Sequence, residues 1–281
     1  MDASYISIFS FIVVTCIYFF SGLKKRPTIE IISNKELYPK FIESNYLNLF
    51  IYFLAVVIIQ FAINSFIIIQ NCGGNAYKNI GSAALMTFIP WFLIFGLVIA
   101  ILIMFPGFKS PFSNVIGYFA ISGRANNILS ELLENTEINN VIEEDASLKG
   151  NEEKKKAIQS AAEAILKLCG NISIYINQIV PSNFQEKWVE LSPLFKEKYI
   201  NNNDDMKQKL LDLVFLKDNI GEMCWYIYTA VFLISMIQYK LTKKGCAKDP
   251  AAMEEARKIY LDKQNEINDA KNKAQSTIYT L

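Results

Sequence analysis

The chain has 281 residues, 52% of them hydrophobic and 13% aromatic against 20% charged, too apolar for an ordinary soluble domain, so a membrane class is expected. Its 28 basic and 27 acidic side chains leave a formal net charge of +1, which excludes a global electrostatic pull toward nucleic acid. Histidine is absent; zinc-protease helices, Ser-His-Asp triads and His-Asp acyltransferase boxes go with it.

The first apolar stretch, Tyr5 to Phe20, is preceded by Asp2 and followed by Lys24, Lys25 and Arg26. A cleaved signal would carry its positive charge in front, so this order points to an uncleaved anchor with the basic cluster on the cytosolic side. Thr28 to Asn45 reads as a short cytosolic connection with one strand-like stretch at Thr28 to Ile32, where polar and apolar residues alternate.

Tyr46 to Ile69 is a second span of about 24 uncharged residues. Gln60 and Asn64 lie four apart on one face of it. Amides facing lipid are costly, so they are expected to meet another helix; lining a transport path is the sharper alternative. Gln70 to Ser82 has the Asn and Gly density of a turn. Ala83 to Phe105 is a third span, with Pro90 at a tolerated kink and Gly96 and Ala100 at small-xxx-small spacing.

Pro106 ends that helix. The following run, Phe105 to Tyr118, is aromatic, turn-rich and weakly charged, and Phe112 to Ile121 is apolar but too short to cross, so the region is expected to lie in the interface plane or re-enter shallowly. Asn126 to Glu144 carries helical apolar spacing, and Glu143 to Lys156 is a charged linker. Ala157 to Val180 and Asn183 to Tyr199 then build a soluble helical module. In it Phe184, Trp188 and Phe195 are candidate anchors for a protein partner.

Helical spacing resumes at Met206 and runs into Met223 to Tyr239, a fourth apolar span. Residues 206 to 239 are thus expected to form one helix, with Gly221 as a weak breaker. Glu222 sits at its membrane boundary. Alternating spans put the tail opposite the module, whereas Lys240, Lys243, Lys244 and Lys248 ask for a cytosolic tail; the alternating count is preferred because the first helix usually dominates. From Asp249-Pro250 a charged helix with a thin apolar stripe reads as a solvated arm or partner-binding helix.

The expected fold is therefore all-α: a multi-span helical membrane protein with a small soluble helical module and a charged C-terminal helix. Residues 1–125 form the membrane anchor, with spans at about 5–21, 46–69 and 83–105 and an interfacial stretch at 106–121. Residues 126–221 form the module, 222–240 the fourth span and 241–281 the arm.

Candidate chemistry is sparse. Cys16, Cys72, Cys169, Cys224 and Cys246 show no CxxC spacing, and phosphate loops, GxSxG and EF-hand spacing are absent. Asn171-Ile172-Ser173 matches a glycosylation sequon but sits on an amphipathic helix. No catalytic residue, metal site, cofactor or small-molecule substrate is assigned, and the protein is not expected to be an enzyme.

One run carries a likeness. Phe105, Pro106, Gly107, Phe108, Lys109, Ser110, Pro111, Phe112, Ser113, Asn114, Val115, Ile116, Gly117 and Tyr118, directly after a transmembrane helix, resemble a motif in virion membrane proteins of the nucleocytoplasmic large DNA viruses. The likeness covers roughly residues 83 to 125. The Pro-Gly, Pro-Phe-Ser-Asn and Gly-Tyr pattern stands, while the family's run has Trp where this chain has Phe108 and Thr where it has Val115. The resemblance implies a structural component of an icosahedral particle, lodged in its internal membrane beneath the capsid as a minor capsid or membrane-linking protein. Its implied partners are the lipid bilayer and other capsid proteins, and during assembly it would reside in host endomembrane derived from the endoplasmic reticulum. A membrane channel, or a protein that admits the virus to its host cell, is the alternative class.

Overall fold

A computed structural model describes residues 3–34, 36–72, 76–133, 172–192, 195–200, 203–243 and 250–278. Among these residues the chain is all-α; the one β feature is an isolated bridge between Leu133 and Phe195. Helix α1 spans Ala3–Phe20, α2 Ile29–Ser33 and α3 Leu37–Cys72. A kinked rod follows, made of α4 (Ala76–Pro90), a π-helical turn (Trp91–Phe95) and α5 (Gly96–Met104). Pro90 has no N–H to continue the ladder, and the wider π turn directly after it absorbs the mismatch.

Three helical segments are long and apolar enough to cross a bilayer: Leu37–Gln70, Ile80–Met104 and Asp204–Lys243. Helix α1, with 18 residues, is about 27 Å long at 1.5 Å per residue, just under a hydrocarbon core of about 30 Å. It packs beside the other three, and Phe11, Tyr18, Tyr52, Trp91, Phe95 and Tyr226 close their shared core. The outside of this bundle is as apolar as the inside. Phe9, Phe66, Leu85, Leu93, Leu97 and Phe232 are all exposed, while Ser7, Thr15, Gln60, Asn64, Thr87 and Gln238 are buried; a surface of that kind suits hydrocarbon rather than water.

After Phe105 the chain does not lie apart. A 3-10 turn (Pro106–Lys109), the short helix α6 (Ser110–Phe112), a π turn (Ser113–Gly117) and α7 (Tyr118–Leu132) form a second rod. It runs antiparallel along a helix to be called α11, the unbroken forty-residue Asp204–Lys243. Helices α8 (Ile172–Gln178), α9 (Phe184–Leu191) and α10 (Glu197–Ile200) pack with α7 and the first half of α11 around a second core. The charged helix α12, Pro250–Ile278, is exposed over all of its described side chains.

Several expectations are corrected here. Ile29–Ser33 is helical: the extended Thr28 caps it, its side chain accepting from the Ile31 N–H, and with no strand to pair with among the described residues, the alternation has nothing to join. The expected turn at Gln70 to Ser82 is mostly helix, since α3 continues to Cys72 and α4 begins at Ala76. Phe112 to Ile121 does not stand apart as an element of its own: Ser113 and Gly117 dock it on α11, while Val115, Ile116 and Phe119 stay exposed. The expected boundary between 125 and 126 falls inside α7, whose Ile121 and Ala125 already belong to the module core. The linker at 143–156, most of the expected helix from Ala157, Asn171, and the side chains of Cys72 and Cys246 lie outside the described residues.

Candidate functional site

The run from Phe105 to Tyr118 forms a joint between bundle and module, and the joint starts from glycine. A Cβ on Gly221 would fall 2.7 Å from Ser113 Cβ, and one on Gly117 would fall 2.5 Å from the carbonyl oxygen of Lys217. Backbones approach this closely only when side chains are missing. Within the run, Ser113 and Gly117 are buried, Phe112, Asn114 and Tyr118 are half-buried, and Phe105, Pro106, Gly107 and Pro111 are exposed. Phe112 meets the edge of Trp225 at 5.1 Å between ring centroids, and Trp225 Nε1 donates to the Phe108 carbonyl at 2.7 Å.

Next to this seam lies a quartet of charges. Lys24 is carried there by the turn after α1, where Gly22 adopts φ +90° and the Lys24 N–H donates back to the Tyr18 carbonyl. Its Nζ stands 2.7 Å from Glu222 Oε1, and Lys109 Nζ stands 2.6 Å from Glu222 Oε2 and 3.0 Å from Asp218 Oδ2. The Tyr226 hydroxyl donates to Glu222 Oε1 at 3.0 Å. Glu222 is 5% exposed, so its charge is stabilised by these partners rather than by water.

The two ammonium groups respond differently. Burial pulls Lys24 below its ordinary value, Glu222 only partly restores it, and Lys109 adds repulsion. Lys109 feels the same burial, but two carboxylates, Glu222 and Asp218, outweigh it and hold that ammonium above the usual lysine range. One helical turn further into the module, Lys217 is fully buried. Its Nζ donates to the Ile176 carbonyl at 2.8 Å and to the Asn177 carbonyl at 3.3 Å, with Asn114 Oδ1 at 3.4 Å. One lysine thereby joins α11, α8 and the π turn at Ser113–Gly117.

At the far end of the bundle a second polar set is closed on itself. Gln60 Nε2 donates to the Ser7 carbonyl at 2.9 Å, Asn64 Nδ2 to Thr87 Oγ1 at 2.9 Å, and Gln238 Nε2 to Asn64 Oδ1 at 2.9 Å. Four helical segments meet through these side chains. The three aromatic anchor candidates are placed inside the module, a correction to their expected role: Phe184, Trp188 and Phe195 are at most 5% exposed and pack on one another at centroid distances of 6.1 and 4.9 Å. Their spacing together with Leu191 makes them the buried stripe of an amphipathic helix and its continuation. They are core, not contact surface.

Neither Lys24, Lys109 and Asp218 as partners of Glu222, nor the Lys217 cluster, nor Gln238 was singled out by pattern. The usable signals were Ser113 and Gly117 at small-xxx-small spacing, and Gly221 in an otherwise apolar helix. Among the described residues no group of three or more Cys, Asp or Glu is arranged to hold a metal ion. The chemistry on display is clamping: paired charges, close backbones and carbonyl-bound ammonium. No protein-family model, curated protein or solved structure matches the chain.

Proposed function

We propose that the protein is a structural component of a large DNA virus particle, a minor capsid or virion membrane protein that anchors the internal viral membrane to the capsid and performs no catalysis. One observation carries this reading. The Phe105 to Tyr118 run, on which the resemblance to virion membrane proteins rests, is built into the joint that fixes a lipid-suited bundle to a separately cored module. A linker that transmits position between two layers needs such a stiff joint. Its partners would be the bilayer and other capsid proteins, its location the internal membrane of the particle and, during assembly, host membrane derived from the endoplasmic reticulum.

With Phe184, Trp188 and Phe195 committed to the interior, the gripping surface falls to exposed residues. Ile259, Tyr260 and Ile267 on α12 stand open between charges, an arrangement suited to a partner helix or groove. The channel alternative would need Gln60, Asn64 or Glu222 to line water, whereas all three are engaged by neighbouring protein groups. Purified particles stripped of lipid by mild detergent test the proposal: the protein is expected to stay with the capsid shells, and its quantitative release with the lipid would overturn the linking role.

A further inference from the structure

We propose that the protein holds one phospholipid with a primary-ammonium headgroup, one of its two acyl chains in the groove between α3 and α5 and its headgroup in the charged cleft at the groove's end. The site stands on the geometry of the bundle and its joint with the module and does not depend on the viral reading.

The groove has a volume of about 490 Å³ and a wall of Phe50, Phe53, Phe92, Ile99 and Ile103. Gly96 is its floor: a Cβ there would meet Phe53 only at an ordinary 3.8 Å, and glycine leaves that space open. From Phe92 to Ile103 the groove runs about 16 Å along the helix, close to half of a 30 Å hydrocarbon core, which is the reach of one leaflet. Beyond Phe92 the gap between α3 and α4 is filled by rings, with Phe61 against Phe88 at 5.1 Å and Phe88 against Phe92 at 6.2 Å. A partner helix would need the full thickness. A single acyl chain needs only half.

The groove does not end blindly. Tyr46, Leu49 and Ile103 line both it and a neighbouring cleft of about 560 Å³, whose other walls include Lys24, Lys109, Asp218 and Glu222. An occupant of the two together is apolar at one end and polar at the other. The four charges sum to zero, which matches a dipolar headgroup better than a net anion. Each ammonium has three N–H donors, and the ion pairs of Lys24 and Lys109 leave donors over for a phosphate. Asn177 and Asn219 also line the cleft, and the buried side-chain oxygen of each accepts no hydrogen bond. Such acceptors call for an N–H donor. A primary ammonium brings three; a quaternary one brings none.

The test uses the full chain in phosphatidylcholine nanodiscs doped, in parallel, with phosphatidylethanolamine, phosphatidylcholine or phosphatidylglycerol carrying a diazirine in one acyl chain. Phosphatidylethanolamine is expected to label peptides with Phe50, Ile99 and Ile103 about tenfold more than those with Phe9 or Phe232, the factor of one charge-assisted hydrogen bond. Gly96→Ala should keep that labelling and Gly96→Leu should abolish it. Asn219→Leu should remove the preference among headgroups while labelling of the groove persists, which keeps the proposal open to test even where Gly96→Leu fails to fold. Even labelling around the bundle, equal labelling by the three lipids, or unchanged labelling in a folded Gly96→Leu protein would overturn it.

Discussion

Glu222 shows at the scale of one residue how a boundary charge is made tolerable. Two lysines from distant parts of the sequence and a tyrosine hydroxyl converge on its carboxylate, and desolvation of all of them is offset only while the set is complete. Glu222→Ala should therefore cost about 3–5 kcal/mol, because two buried ammonium groups lose a partner at once. By contrast, Glu190→Ala removes the exposed pair with Lys187 and should cost under about 1 kcal/mol. Thermal unfolding of the two variants in the same detergent compares them; equal midpoints would show that the quartet does not hold the joint.

Helix α11 organises the elements because its faces change partner along its length. Leu210, Leu211 and Val214 enter the module core, Lys217 is bound by the Ile176 and Asn177 carbonyls, Asp218 and Glu222 join the charged collar, and Tyr226, Leu233, Ile234 and Ile237 enter the bundle core. Gly221, at the collar, looks in isolation like a weak point in a helix, worth about 1 kcal/mol against alanine. Packing reverses that reading. Gly221→Ala would press a methyl onto the Ser113 backbone and should destabilise by about 1–3 kcal/mol despite the better propensity. The control is Gly123→Ala on α7, where a Cβ meets nothing within 4 Å; it should be neutral or stabilising by up to about 1 kcal/mol. Urea or thermal unfolding that ranks the two variants the other way would refute the close-contact seam.

For the whole molecule, the polar groups mark the two ends of the bundle. Lys24, Lys109 and Glu222 meet at one end, where the module begins, and Ser7, Asn64, Thr87 and Gln238 meet at the other. Helix α11 ends at Lys243, beyond that second end and at the opposite end of the bundle from the module. For a bilayer-spanning bundle this arrangement predicts the alternating topology, with the module and the residues after Lys243 on opposite sides of the membrane. Tags inserted near Gly150 and after Leu281 should be cleaved by protease from opposite sides of sealed membranes. Cleavage of both from the same side would reject the two-layer bridge.

Much of this was legible from residues alone because it depends on local quantities. Apolar length marks the three long spans, helical periodicity carries Met206 through Tyr239 as one helix, and Asp249-Pro250 announces the arm. The placing of Gln60 and Asn64 on one face also follows from spacing. What periodicity cannot supply is the identity of a partner distant in the chain. That Phe112 to Ile121 docks on α11 was decided by the fit of Ser113 and Gly117 against Gly221 and Lys217, a property of two surfaces together. That Phe184, Trp188 and Phe195 point inward was decided by α7 and α11 covering them, since an aromatic stripe looks the same whether it awaits a partner or already has one. The charged collar is the clearest case. Lys24, Lys109 and the pair Asp218 and Glu222 lie in three separate parts of the sequence, each an ordinary flanking charge, and only the close approach of the turn after α1, the 3-10 turn and α11 in a low-dielectric junction makes them one ionic unit.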